Sequence, residues 1–258
     1  MSHASVLTYL KFGFHRSGII WGFNADHQPI GGRFDAIEDE LVAGSLFASY
    51  ITYDLSPELT QTQMVEGGDK LEKAFVEVVD QDLFKAVSVR LKELAISIDA
   101  PELKQLVIYL TPAMNKMKRR DKLYTGIRDQ YFTTPEGRRF FKELSIDELP
   151  GQTTPETLAV CLAMVEQLGV HFQYVAPNIG FQKNFPYEDN GELSAKVEKL
   201  YAIAEKFGVS IGFHSGSGKS AENYSVCGRA TGGNFEVKTS GRYTYEMGVA
   251  LSQSTDTR

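Results

Sequence analysis

An α/β fold is predicted by a unit that recurs along the chain. In each copy an amphipathic helix ends at a glycine, a short apolar strand follows, and polar residues close the strand, as in residues 40–54, 165–178 and 204–214. Glycine is the preferred residue just past a helix end, and strands that alternate with helices pair in parallel. A TIM-type (β/α)8 barrel is the natural closure for 258 residues, and an open doubly wound sheet is the alternative.

Seven strands are predicted, and most of them end in polar residues. In chain order they are residues 19–23, 46–53, 106–110, 143–146, 170–176, 209–213 and 234–237. The chain ends soon after the seventh strand, which is early for a closed barrel. We therefore expect a barrel that is incomplete at its C-terminus. We also expect residues 1–258 to form a single domain that is part of a longer protein.

The helices between these strands are predicted from their caps and apolar stripes. Residues 154–168 begin with a capping-box pattern and a proline in the first turn. Residues 193–207 carry apolar side chains along one stripe. Residues 71–96 form one or two helices, because Asp80 can cap a second start.

The composition argues against several classes of function. The net charge of −6 does not favour binding to nucleic acids or to membrane surfaces, although a local basic pocket for a small anion is compatible with it. The two cysteines, Cys161 and Cys227, do not make a disulfide framework. The sequence has no signal-peptide pattern at its start and no apolar run long enough to cross a bilayer. A cytoplasmic enzyme domain that acts on a small molecule is therefore expected.

Polar residues at strand ends define the candidate site, because parallel α/β folds form their sites at the carboxyl ends of the strands. Asp26 and His27 follow one predicted strand, and His214 follows another. Imidazole and oxygen ligands suit Mn, Fe, Ni or Zn, so a divalent-metal site is predicted. Alternatively, each histidine caps its strand and binds a neighbour, and Asp26 is a base, a support for the ligands or a turn residue.

Further polar residues are expected at the same edge of the sheet. Glu143 alternates with Ser145 and Asp147 and is expected to point inward. A glutamate is costly to bury without a partner, which favours a functional role. The other candidates at strand ends are, in chain order, Asp54, Asn178, Ser215, Lys219, Lys238 and Arg242. The cations among them suit a carboxylate or a phosphate, or are solvated surface charges.

Residues 212–220 resemble a phosphate-binding loop and give a rival interpretation. That motif has four residues between its first glycine and Gly-Lys-Ser, whereas Gly212 leaves five. The residues that follow also lack the pattern of a long helix whose N-terminus would hold a phosphate. Nucleotide binding is therefore the least favoured alternative, although the glycines allow backbone N–H groups to approach an anion.

Five motifs occur in order along the chain. They are residues 22–27 (Gly-Phe-Asn-Ala-Asp-His), 143–148 (Glu-Leu-Ser-Ile-Asp-Glu), 176–183 (Ala-Pro-Asn-Ile-Gly-Phe-Gln-Lys), 214–217 (His-Ser-Gly-Ser) and 237–241 (Val-Lys-Thr-Ser-Gly). Together they resemble the D-tagaturonate epimerase family, also described as tagaturonate/fructuronate epimerase. The resemblance implies a metal-dependent enzyme of hexuronate catabolism that interconverts D-tagaturonate and D-fructuronate at carbon 4. Retro-aldol cleavage and re-addition is the expected route.

The resemblance also implies a role for each matching residue. Asp26 is the expected proton acceptor, and Glu143 is the expected proton donor. The expected ligands of the divalent cation (Mn, Zn, Ni or Fe) are His27, Gln182 and His214. The residues expected to bind the sugar acid are, in chain order, Asp54, Lys183, Ser215, Lys219 and Lys238.

Three places depart from the family pattern. Gly218 stands where an acid is expected, and Glu236 stands where a histidine is expected. The segment 240–242 (Ser-Gly-Arg) differs from the small, threonine-containing segment that is expected there. These departures leave open a different ligand set or a different substrate. The alternatives are another metal-dependent sugar isomerase or aldolase on the same fold, and a sugar-acid-binding protein without catalytic activity.

Overall fold

The computed structural model describes residues 2–18, 21–147, 151–239 and 242–254, and a parallel β-sheet lies at its centre. Six strands follow the order β1–β2–β3–β4–β5–β6, and each neighbouring pair is parallel. Their bounds are Asn24–Pro29, Tyr50–Asp54, Phe141–Ile146, Tyr174–Pro177, Ser210–Phe213 and Phe235–Val237. This order lacks the reversal of a doubly wound sheet. The described residues therefore form an α/β fold with a sheet ordered like part of a barrel.

Helices make the connections between the strands. In the described part of the chain, the helices α1 to α11 are Ser2–Lys11, Glu38–Gly44, Ser56–Leu59, Asp69–Val78, Gln81–Glu93, Ala100–Tyr131, Pro135–Arg138, Pro155–Gln167, Asn190–Lys206, Ala221–Ala230 and Arg242–Gln253. Short 3-10 helices cover Phe14–Arg16 and Gly32–Ile37. None of the helices within the described ranges has both the length and the apolar character needed to cross a membrane.

Side chains of the strands alternate between an apolar face and a polar face. Tyr53, Leu144 and Ile146 are fully buried in the hydrophobic core that the helices cover. Their neighbours Thr52 and Glu143 are also buried, but they contact each other on the opposite, inner face of the sheet. The predicted alternation around Glu143 is therefore confirmed, and it turns the polar residues toward the site.

The predicted strand at residues 106–110 is wrong, because these residues lie inside α6. Asp99 caps that helix by accepting a hydrogen bond from Glu102 N at 3.0 Å, and Pro101 occupies its first turn. Four of the five residues of the run are buried. A short apolar run does not distinguish a strand from a buried helix, and the helix continues past this run through Pro112.

The first predicted strand is misplaced along the chain. The first two residues of the predicted run 19–23 lie outside the described residues, and its last three form no strand. The observed strand, β1, begins at Asn24. Asp26 and His27 therefore lie within β1, where their directions depend on the geometry of the strand.

The predicted helices are confirmed with small shifts of their bounds. Residues 71–96 form α4 and α5, and Asp80 Oδ1 accepts a hydrogen bond from Leu83 N at 2.9 Å where the second helix begins. The helix α8 begins at Pro155, with Thr154 as its cap, and α9 contains the second apolar stripe. Local capping chemistry therefore predicts these elements well.

A buried ion pair joins α6 to α2 and to the end of β1. Arg120 has no solvent exposure. Its Nε donates to Glu38 Oε1 at 2.9 Å, and its Nη2 donates to Pro29 O at 3.3 Å. The half-exposed Arg119 reaches Glu38 Oε2 at 2.8 Å. Because a buried charge is costly without a partner, these contacts hold α6 against the strand that carries Asp26.

We expect Arg120→Met to lower the free energy of unfolding by about 3 kcal/mol, because Glu38 loses its buried partner. Arg119→Met removes a half-exposed contact to the same carboxylate and is expected to cost less than about 1 kcal/mol. Urea denaturation followed by circular dichroism measures both values. Equal losses for the two variants would contradict the importance of the buried pair.

Candidate active site

The carboxylate of Glu143 lies at the centre of the inner face. Its Oε2 accepts hydrogen bonds from Thr52 Oγ1 at 2.6 Å and from Lys238 Nζ, and its Oε1 lies 2.9 Å from His214 Nε2. Burial alone would raise the pKa of Glu143, but the contacts from His214 and the charge of Lys238 outweigh it and hold this pKa well below its usual range. One ionised carboxylate therefore joins side chains from β2 and from the ends of β5 and β6.

A bulge interrupts β1 beside this carboxylate. Asn24 pairs with Tyr50 and His27 pairs with Thr52, so β1 has one more residue than β2 between these pairs. Consecutive side chains of a regular strand face opposite sides of the sheet. A bulge re-aims a side chain locally, and bulges are frequent next to active sites.

The bulge brings both Asp26 and His27 to the inner edge of the sheet. Asp26 has a φ of 23°, and its Oδ1 lies 3.7 Å from Lys238 Nζ. The ring of His27 meets the ring of His214 edge to face, with centroids 4.7 Å apart. The structure thus brings together the aspartate and the two histidines that the sequence indicates.

Each of these histidines has at least one ring nitrogen beside a carboxylate. Asp54 Oδ2 lies 3.1 Å from His27 Nδ1, and Glu143 Oε1 lies 2.9 Å from His214 Nε2. The remaining nitrogens are Nε2 of His27 and Nδ1 of His214. The latter is buried and makes no hydrogen bond, although Asp147 Oδ2 lies 3.0 Å away. Carboxylates in such positions orient imidazole ligands toward a metal.

The same carboxylates change the proton affinity of both rings. Burial lowers the pKa of His214, but the adjacent Asp147 and Glu143 outweigh burial and raise this pKa to about 9. Burial also opposes the shift at His27, and the contact with Asp54 raises its pKa. The site is therefore strongly attractive to positive charge, whether a proton or a cation.

Three donor groups converge as a cation site would require. Donor atoms of His27, Asp147 and His214 lie within 4.8 Å of one another. Two imidazoles and one carboxylate form a set that suits Mn, Fe, Ni or Zn. The buried Nδ1 of His214 faces Asp147 Oδ2 at 3.0 Å without the geometry of a hydrogen bond, and this arrangement is the observation that fits a divalent cation here.

Glu236 lies next to this group at the position where the family pattern has a histidine. Burial, reinforced by the neighbouring Glu143, raises the pKa of Glu236 to about 8. Glu143, His214 and Glu236 form a second group of donors with similar spacing, but the Lys238 ammonium on Glu143 would repel a cation there. The first group is therefore the better candidate. In the sequence, Asp147 was a candidate because it alternates with Glu143. Glu236 was noted because it departs from the family pattern.

Two predicted site residues lie in the loop between β4 and α9. Gln182 and Lys183 are exposed, and their roles in metal and substrate binding stay predictions. Lys219 is buried, and its Nζ donates to the carbonyl oxygens of Gln182 at 2.6 Å and Phe185 at 2.5 Å. Its ammonium therefore holds this loop, a role that the sequence did not indicate.

A small cavity of about 230 Å³ opens beside His214. Its lining includes Asp147, Asn178, His214 and Ser215, and Ser215 has a φ of 56°. These polar groups come from the ends of β3, β4 and β5, so the cavity offers space for a small polar ligand next to the candidate metal ligands. Arg242, the last cation at a predicted strand end, has a side chain outside the described residues.

The glycine-rich segment after β5 does not form the rival phosphate-binding loop. Contrary to the expectation, a ten-residue helix does follow it, with Ser220 as its cap, but Lys219 is engaged by carbonyl groups. Gly218 has a φ of 80°, and a Cβ there would lie 2.5 Å from the carbonyl carbon of Asn184. The backbone therefore leaves no room for the acid that the family pattern has at this position.

The sheet and its edge define an α/β protein with a histidine–carboxylate site at the carboxyl ends of its strands. The chain belongs to the tagaturonate epimerase family, whose model matches residues 2–249. This match confirms the family that the five motifs indicate. A comparison with curated proteins gives no match.

Similar solved structures are those of the fructuronate-tagaturonate epimerase UxaE from Cohnella laeviribosi. The complex with one glycerol is 23% identical, with a TM-score of 0.64 over 91% of this chain and 47% of that chain. The native structure is 22% identical, with the same TM-score and coverage. These likenesses show a shared fold, and this chain spans about half the length of the solved proteins.

We expect Gly212→Ala to displace the central carboxylate, because a Cβ there would lie 2.6 Å from Glu143 Oε1 and 3.1 Å from Glu236 Cγ. Overpacking of this kind lowers the free energy of unfolding by about 1–3 kcal/mol, which urea denaturation measures. Gly228→Ala is the control, since its Cβ would lie 3.7 Å from Phe235. Equal stability of the two variants would contradict the close contact between Gly212 of β5 and the carboxylate of Glu143.

Proposed function

We propose that this chain carries the active site of a metal-dependent epimerase that interconverts D-tagaturonate and D-fructuronate at carbon 4. The observation that carries the proposal is the convergence of donor atoms from His27, Asp147 and His214 within 4.8 Å, beside the carboxylate of Asp26. Membership in the tagaturonate epimerase family supports the substrate. The similar solved structures are those of a fructuronate-tagaturonate epimerase.

The position of carbon 4 limits the chemistry. It is not adjacent to the carbonyl at carbon 2, so loss of a proton next to the carbonyl does not invert it. In a retro-aldol route, a base removes the 4-hydroxyl proton, the bond between carbons 3 and 4 breaks, and an aldehyde and an enolate form. Re-addition to the other face of the aldehyde inverts carbon 4. A divalent cation held by the cluster supplies Lewis-acid stabilisation of the negative charge.

Asp26 is the residue that we assign to the 4-hydroxyl proton. Its side chain is 72% exposed at the open edge of the sheet, where substrate can reach it. Lys238 Nζ lies 3.7 Å from Asp26 Oδ1 and also donates to Glu143. Lys238 thus lies between the proposed acceptor, Asp26, and Glu143, and because Glu143 is held ionised, it would have to take up a proton before it could serve as the donor that the resemblance implies.

We expect His27→Ala and His214→Ala each to weaken divalent-cation binding by at least about 100-fold, because each variant loses one of three ligands. Equilibrium dialysis with Mn²⁺ or Zn²⁺, followed by metal analysis, measures the affinity. His171→Ala is the control, since His171 is exposed and outside the cluster, and it should bind as the parent does. A parent protein that binds a sugar acid but no cation would instead favour the non-catalytic binding protein.

We expect Asp26→Asn to lower kcat by at least about 100-fold, the usual contribution of a general base, with a smaller change in KM. Conversion of D-fructuronate to D-tagaturonate, followed by NMR, measures both constants. Asp39→Asn is the control because Asp39 is exposed on α2. An Asp26→Asn protein with the parent rate would exclude Asp26 as the base.

A further inference from the structure

The cavity of about 230 Å³ beside His214 shares its wall with the candidate cation site. Two of the three proposed ligands, Asp147 and His214, line this cavity, and His214 Nδ1 lies 3.0 Å from Asp147 Oδ2. The ring of the third proposed ligand, His27, meets the ring of His214 edge to face. A group that binds in this cavity therefore lies next to a cation held by these side chains.

The rest of the wall comes from the loops that follow β4 and β5. Asn178 lies directly after β4, and Ser215 lies shortly after β5. The backbone N–H of Asn178 donates to Thr153 Oγ1 at 2.8 Å, and its Oδ1 accepts a hydrogen bond from Gly180 N at 2.9 Å. The β4 side of the wall is therefore held in place by hydrogen bonds of its own.

Ser215 occupies the wall in an unusual backbone conformation. Its φ of 56° lies in the left-handed region, which residues other than glycine seldom adopt. Such positions cluster at ligand-binding sites. The side chain is half-buried, and its hydroxyl forms no hydrogen bond with another of the described residues. Ser215 therefore offers a ligand both a hydrogen-bond donor and an acceptor.

The charges around the cavity favour an uncharged group. Asp147 brings a carboxylate to the wall, and both ring nitrogens of His214 already face carboxylates, those of Glu143 and Asp147. No lysine or arginine from the described part of the chain lines the cavity. A second carboxylate here would meet Asp147 without a guanidinium or an ammonium to pair with. A neutral hydroxyl group is the chemical class that fits.

The substrates of the proposed reaction have one uncharged end and one charged end. Carbon 1 is a hydroxymethyl group, carbon 2 is the carbonyl, and carbon 6 is the carboxylate. In the retro-aldol route the negative charge of the enolate develops on the oxygen of carbon 2, so this oxygen must lie at the cation site. Because carbon 1 is bonded directly to carbon 2, the uncharged end lies beside the same ligands.

We propose that this cavity binds the uncharged end of the substrate, and that the hydroxyl of carbon 1 forms a hydrogen bond with Ser215. This inference rests on the proposed function and states which end of the sugar acid the cavity recognises. The charged end, with carbon 6, then points away from Asp147. Ser215 is thus the residue that distinguishes a ketose with a 1-hydroxyl group from one without it.

A sugar acid without the 1-hydroxyl group tests the proposal. 1-Deoxy-D-fructuronate keeps the carbonyl and the carboxylate of D-fructuronate and has a methyl group as carbon 1. Titration calorimetry in the presence of Mn²⁺ measures the affinity for each sugar acid, whether or not it is epimerised. The parent protein should bind D-fructuronate about fivefold more tightly than the deoxy sugar, which is the contribution of one neutral hydrogen bond.

Variants of Ser215 should abolish this preference. Ser215→Ala should weaken binding of D-fructuronate about fivefold and leave binding of the deoxy sugar unchanged. Ser215→Gly removes the same hydroxyl and suits the positive φ, so it should give the same result even where alanine is poorly tolerated. Ser97→Ala is the control, because Ser97 is exposed between α5 and α6, and it should keep the preference of the parent.

Two results would overturn the proposal. One is a parent protein that binds both sugar acids equally well, and the other is a pair of Ser215 variants that weaken the binding of both by the same factor. A parent protein that prefers the 1-hydroxyl group through Ser215 but does not epimerise D-fructuronate would contradict only the proposed function.

Discussion

Glu143 has no solvent exposure, and the inner face of the sheet is arranged around the compensation of its charge. Thr52, His214 and Lys238 reach its two oxygens from three separate places along the sheet. A carboxylate buried without such partners would cost several kcal/mol. The strands must therefore keep the register and curvature that bring these three side chains to one point. The contacts that keep Glu143 ionised are thus the contacts that assemble the candidate site.

The histidines extend this arrangement from the buried carboxylate to the open edge. His214 has Glu143 on one nitrogen, and His27 has Asp54 on one nitrogen. His214 Nδ1 faces Asp147 Oδ2 at 3.0 Å, and the two rings meet edge to face. Rings oriented in advance lose little freedom when they bind a cation. The contacts of Glu143 and Asp54 therefore orient the two histidines for ligand binding, in addition to stabilising the sheet.

The fold could be predicted in outline because local signals determine its elements. Helix caps and the alternation around Glu143 indicated parallel strands with helical crossovers, and strand ends indicated the aspartate and both histidines. The run at residues 106–110 was misread because a buried helix and a strand share its apolar pattern. The position of Asp147 at the candidate cation site and the contacts of Lys219 with loop carbonyls depend on residues far apart in sequence. No local pattern reports such contacts.

The extra residue in β1 has a consequence for how this segment can change in evolution. Asp26 and His27 reach the same edge only because the strand holds one residue more than its neighbour. Loss of one residue between Asn24 and His27 would restore strict alternation and turn one of the two side chains away. Exchange of Ala25 for another small residue would alter only local packing. In an alignment of relatives, a gap within this short segment would therefore mark a protein that has abandoned this chemistry, even where both residue types are still present.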